Sequence, residues 1–320
     1  MKIIKSIFTL ILLFIALHTL GQGNISDATQ EGQFNSHNVD QLGQMNTAYL
    51  LQIGDFNIAE VLQRVATGNY VELSQEGLNN SILVNQNHGI ENFAGVDQVG
   101  NNNNADVLQY GSYANDNWSD IYQTGNNNDA SVNQGGFGGD WQKSDIYQVG
   151  DYNYANVKQR DDNQTSWIYQ GWVEDGFDNT AFVDQAGWNH NSLILQSRNE
   201  NYADVYQRGG EHYSMVFQDG DENEANVDQF GHYNQSLVTQ GGELVPGSSR
   251  YGWAVTHRNK DKNQADVLQF GWDNYSAVSQ YGDKNDANVE QYFGWYGNGN
   301  GSWVEQSGDN NDADVLQFGF

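Results

Sequence analysis

A glutamine recurs at a near-fixed interval through almost the whole chain, and this interval most constrains what the chain can fold into. It falls at Gln30, Gln41, Gln52, Gln63, Gln75, Gln86, Gln98, Gln109, Gln123, Gln134, Gln148, Gln159 and Gln170. It continues at Gln185, Gln196, Gln207, Gln218, Gln229, Gln240, Gln269, Gln280, Gln291, Gln306 and Gln317. Sixteen of the 23 steps between these 24 residues are 11 residues long. A unit that short has no core of its own, so a sustained period means units stacked on one another.

Each glutamine closes the motif Asn-x-Ala/Ser-x-Val/Ile-x-Gln, usually followed by x-Gly. Clear copies start at Asn57, Asn103, Asn128, Asn153, Asn201, Asn223, Asn263, Asn285 and Asn311. They close at Gln63, Gln109, Gln134, Gln159, Gln207, Gln229, Gln269, Gln291 and Gln317. Residues two apart point to one face of a strand. The intervening positions are often charged, as at Asp106, Glu224 and Asp228. The motif face is therefore expected inside and the other face in water. The residues left over, such as Tyr281-Gly282-Asp283-Lys284, form turns in which Gly permits the reversal.

From Ala105 onward the small residue alternates between Ala and Ser, through Ser119, Ala130, Ser144, Ala155 and onward to Ser302 and Ala313. The earlier copies do not follow this order. The repeating unit is thus a strand–turn–strand pair of about 22 residues. One pair per coil predicts an all-β solenoid of about twelve coils, with two parallel sheets facing across a narrow core of Asn, Gln, Val, Ala and Ser. At about 4.8 Å per coil the rod is roughly 58 Å long. The long step from Gln240 to Gln269 holds the sole proline, Pro246. Ser236 passes to Ala265 in the alternation only if residues 241–262 are skipped, so this segment is expected to be a loop rather than an added strand.

Apolar residues make up 38% of the chain. Val and Ala bury little area, so hydrogen bonds must supply the rest of the stability. Asn and Gln amides stacked at strand spacing bond to the copies above and below and reward one register. The eighteen Asn and Gln residues of the clear copies are therefore the candidate functional residues, as a structural ladder. A net charge of -28 argues against nucleic acid and anionic membranes as partners. The seven His show no metal spacing, and Cys is absent. No nucleophile–base order or phosphate loop stands out, so no enzyme, cofactor or metal is expected. Acidic stretches such as Asp219-Gly220-Asp221-Glu222 and Asp309-Asn310-Asn311-Asp312 lack calcium-loop spacing and read as solvated turns. Aromatic residues flanking the closing glutamines read as stacking partners on the outer face.

Residues 1–21 have the form of a secretory signal peptide, with Lys2 and Lys5 before an apolar run from Ile7 to Leu17. The run is short for a membrane anchor, and no further apolar stretch follows. The mature chain, 22–320, is expected to be secreted with no membrane span. Regular copies sit at both ends with no cap, and uncapped strand edges template further strands.

The pairs Asn274-Ser276-Val278-Gln280-Gly282-Asn285-Ala287-Val289-Gln291 and His212-Ser214-Val216-Gln218-Gly220-Asn223-Ala225-Val227-Gln229 resemble the curlin repeat of curli subunits. The resemblance runs over about residues 24–317. It implies an amyloid β-solenoid, exported through a dedicated outer-membrane channel, nucleated at the cell surface and built into an extracellular fibre for adhesion and biofilm matrix. The implied partners are further copies of the chain, the channel and a nucleator. The chain departs from the family in two ways: it carries about twelve repeats where major subunits have about five, and it lacks a non-core export segment after the signal peptide. A major-subunit role is expected; a minor nucleator or a non-polymerising secreted adhesin are the alternatives.

Overall fold

The computed structural model describes residues 23–136, 140–171, 176–241, 243–246, 253–256, 261–293 and 299–319. The expected signal peptide lies outside them. The described residues form strands and turns only. Alternating inward Ala/Ser, Val/Ile and Gln hold each copy extended. Each copy then meets the copy two strands later, so like faces like.

Two long parallel sheets result. The first stacks twelve strands in order, from Ile25–Glu31 and Thr47–Asp55 through to Tyr275–Tyr281 and Gly301–Ser307, with the two-residue strand Gly176–Phe177 beside Lys143–Asp151. The second stacks twelve, from Ser36–Gln44 and Ile58–Thr67 to Asp286–Phe293 and Asp312–Gly319. One strand of each sheet makes one coil, so the chain winds through twelve coils separated by eleven turns. Register repeats residue for residue. Ala203 pairs with Ala225, Val205 with Val227 and Gln207 with Gln229. Ser192 pairs with Ser214 and Gln196 with Gln218. Alanine thus lines the second sheet and serine the first. The early copies break the alternation because, after Ser26, the first sheet carries Ala48, Val71 and Ala94 in the position that serine takes from Ser119 on.

The core is a single stripe between the sheets, and Val61, Val107, Ile146, Val205 and Val289 are buried in it. Most reversals use two left-handed residues. One is Gly two places after the glutamine; at Gly100, φ +120°, a Cβ would fall 1.9 Å from Gly125 O. The other precedes the asparagine, as at Asn102, φ 56°. Small coil-to-coil spacing favours glycine at the first position, although Val65, His88, Asp161 and Arg198 take it elsewhere, whereas the second tolerates side chains that point outward.

Two expectations need correction. The outer face is not wet everywhere: Leu193, Leu195, Met215 and Phe217 point outward on the first sheet yet are buried, with Trp167, Tyr169 and Leu237 packed against them. Leu193 pairs with Met215 and Leu195 with Phe217, so neighbouring coils place apolar side chains side by side. The segment 241–262, expected as a loop, contains an antiparallel ribbon, Glu243–Pro246 with Trp253–Thr256. Neither ribbon strand joins the long sheets. Those sheets continue past it, pairing Ser236 with Ser276 and Ala225 with Ala265. A hairpin pairs locally and so needs no place in the parallel stack. Residues 242, 247–252 and 257–260 lie outside the described set. Among the described residues no helix is long and apolar enough to cross a membrane.

Candidate functional site

The glutamines form two unbroken columns, one per sheet. In the second sheet Gln63 Nε2 donates to Gln86 Oε1 at 2.9 Å, and Gln109, Gln134 and Gln159 each donate to the next Oε1 at 2.9–3.0 Å. The column runs on through Gln207, Gln229, Gln269 and Gln291 to Gln317 at 2.8–2.9 Å. The ribbon insertion does not interrupt it, since Gln229 reaches Gln269 across 40 residues of sequence. The first sheet has an equal column, as from Gln52 to Gln75 and from Gln280 to Gln306.

The second amide hydrogen does something that periodicity alone does not reveal. It crosses the core to a backbone carbonyl of the opposite sheet: Gln109 to Phe93 O, Gln134 to Trp118 O, Gln229 to Tyr213 O, at 2.9–3.0 Å. Each glutamine therefore joins consecutive coils and also joins the two sheets. These bonds fix the amide orientation, so every Nε2 in a column points toward the C-terminal coil.

The asparagines act differently from the expected amide-to-amide ladder. Their Oδ1 accepts the backbone N–H of the asparagine one coil on: Asn128 N donates to Asn103 Oδ1, Asn223 N to Asn201 Oδ1, Asn263 N to Asn223 Oδ1, at 3.0–3.1 Å. Their Nδ2 donates to turn carbonyls, as from Asn57 to Gly77 O at 3.0 Å and from Asn103 to Gly125 O at 2.9 Å. Asn57 and Asn103 make no bond to another asparagine amide. From Asn153 onward the side chains also bond each other, with Asn153 donating to Asn128, Asn285 to Asn263 and Asn311 to Asn285 at 2.9–3.2 Å. The asparagine is thus a turn clamp, because it sits where backbone groups would otherwise lack partners.

Two residues outside the expected set join this system. His190 and His212 are buried in the asparagine position of the first sheet, with rings 5.0 Å apart and parallel to 3°. Nδ1 of His190 accepts the His212 N–H at 3.4 Å, and Nδ1 of His212 accepts the Asn234 N–H at 3.3 Å. Nε2 of each faces a turn carbonyl, Ala186 O at 3.1 Å and Arg208 O at 2.9 Å. An imidazole with its proton on Nε2 reproduces the asparagine's acceptor and donor. Burial lowers His190 to about 4 and His212 to about 3, although the carbonyl bonds act the other way. The signal in the sequence was their phase: His190 and His212 open their copies where Asn does elsewhere.

Along the serine column the hydroxyls of Ser119, Ser144, Ser166, Ser192 and Ser214 are buried without a hydrogen-bond partner. Outside, aromatic residues stack along the rod, as Tyr122 on Tyr147 at 4.7 Å and Tyr292 on Phe318 at 5.4 Å. Turn carboxylates stack as well: Asp221, Asp283 and Asp309 each accept a backbone N–H from the preceding coil at 3.0–3.2 Å.

Both ends of the stack are open among the described residues. Strands Ile25–Glu31 and Ser36–Gln44 pair on one side only, as do Gly301–Ser307 and Asp312–Gly319. Among the described residues nothing donates to Oε1 of Gln30 or Gln41, whose Nε2 atoms donate to Gln52 and Gln63. At the far end Gln306 and Gln317 each have one amide hydrogen committed, to Asp286 O and Gly301 O. Donors therefore lead at one end and acceptors at the other.

This geometry defines a two-sheet parallel β-solenoid whose coils are clamped by side-chain amides. Residues 199–231 and 261–292 match the family model described as the Curlin associated repeat. These residues carry curlin-associated repeats, and the coils on either side continue the same columns in the same register. No curated protein sequence matches the chain.

Proposed function

We propose that the protein is a structural, non-catalytic subunit of a curli-type extracellular fibre, assembling end to end with further copies in the role of a major subunit. The observation that carries this reading is the pair of open ends with complementary amide groups. Donors at Gln306 and Gln317 match acceptors at Gln30 and Gln41, so head-to-tail stacking continues both columns while head-to-head contact opposes acceptor to acceptor. The glutamine and asparagine columns would then run on through the fibre. Export by way of the 1–21 signal peptide, passage through a curli-type channel and a surface nucleator belong to the same reading, as do adhesion and biofilm matrix as roles. The purified chain left at neutral pH should form fibres with a meridional reflection at about 4.8 Å. A monomer that stays soluble for days with seeds present would refute the assembly.

A further inference from the structure

The inward alanine column of the second sheet begins with a different residue. His37 pairs in register with Ala59, and the same column closes at Ala313. On the strand Ser36–Gln44, alternation puts His37 with Val39 and Gln41 on the core side, and Val39 packs against the core. His37 is exposed only because its strand is the open edge of the sheet.

We propose that His37 is a pH gate on head-to-tail docking. The inference rests on the end-to-end reading above. Docking in continued register sets Ala313 of one copy on His37 of the next and encloses the imidazole between Ala313 and Ala59. Its polar company there is neutral. Gln52 Nε2 crosses to Ser36 O at 3.1 Å, which places the glutamines of the first sheet opposite His37. On its own coil and the next, Asp27, Glu31, Asp40 and Glu60 alternate to the outer face. On the incoming end, Glu305, Asp312 and Asp314 do the same. No carboxylate is therefore placed to hold an imidazolium on the core side, and an unpaired buried charge is costly. Only the neutral ring docks. Protonation in acid therefore removes chains from the docking-competent fraction, about tenfold per pH unit once most rings are charged.

Acid also neutralises carboxylates on a chain of net charge -28, which favours association, so the gate is read as a difference between variants. Seeded elongation of the full chain is measured from pH 8 to pH 5 for wild type, His37→Ala, His37→Gln and His37→Lys, all on wild-type seeds. The β-sheet circular dichroism of each monomer checks its fold. The ratio of His37→Ala to wild-type rates should be near one at pH 8 and rise about tenfold by pH 5.5. His37→Gln should follow His37→Ala, and His37→Lys should be at least about tenfold slow at every pH. A ratio that stays constant with pH, or a His37→Lys chain as fast as wild type, overturns the gate while leaving end-to-end assembly standing. Failure of wild type and all variants to elongate at any pH overturns the end-to-end reading itself.

Discussion

At the scale of single residues, the buried histidines show how a fixed slot selects for hydrogen-bond pattern rather than residue type. His190 and His212 fill asparagine slots because a neutral imidazole carries one donor and one acceptor at suitable separation. The same fit makes them sensitive to acid. Their folded-state pKa values, about 4 and about 3, lie below the ordinary imidazole value. Between these limits the unfolded chain binds protons that the folded chain refuses. Stability is therefore unaffected by these groups above about pH 6.5 and falls as pH drops below it, by up to about 1.4 kcal/mol per pH unit for each histidine. The variant His190→Asn/His212→Asn keeps the donor and acceptor without the titration. Denaturant unfolding of monomer at pH 7 should give similar midpoints for both chains, and at pH 5 the variant should be the more stable. Parallel pH profiles would show that the rings are not held neutral.

At the scale of the element, a strand here is defined by what its inner face hands to the next coil. Gln207 accepts from Gln185 at 2.8 Å and donates to Gln229 at 2.8 Å and to Asn191 O at 3.3 Å. Gln207→Ala removes the acceptor of one Gln185 amide hydrogen and the donor to Gln229 Oε1, both buried, and a loss of about 2–4 kcal/mol is expected by denaturant unfolding. The outward neighbour Asp204 behaves oppositely. Burial, with Asp228 and Asp184 adding, raises its carboxyl to about 6. The penalty on its ionised form grows as pH rises from the ordinary carboxylate value to about 6. Asp204→Asn should therefore stabilise the monomer at pH 7 and have no such effect below about pH 4. Equal losses from both substitutions would remove the distinction between inner and outer faces. The strands, their inner faces and both glutamine columns were legible from the spacing of Gln63, Gln109 or Gln207 alone. The asparagine's real partners were not, since a turn carbonyl such as Gly77 O leaves no trace in side-chain periodicity. Nor was the burial of Phe217, which depends on which side chain the next coil supplies.

At the scale of the whole molecule, each coil is held only by its neighbours, so stability is greatest in the middle and least at the open ends. Amide hydrogen exchange of the monomer should be slowest around residues 118–240 and fastest in 25–44 and 301–319. On assembly the end strands should gain protection as their free edges pair. Uniform protection in the monomer would mean that the ends are not frayed edges. The ribbon at 243–256 is tolerated for the same reason: a coil that closes in register on both sides needs no particular length of connection between them.

The sequence by itself determined the repeat, the strand faces, the pairing of like with like and the point at which the chain leaves the stack and returns to it. Those properties are one-dimensional: a side chain two residues away or one coil away is found by counting. The tertiary structure alone decided that glutamine ties the two sheets together, that asparagine clamps the turns, that histidine stands in for it, and that the two ends differ in donors and acceptors. These depend on the direction of each amide, which backbone groups across the core fix and which counting along the chain cannot reach.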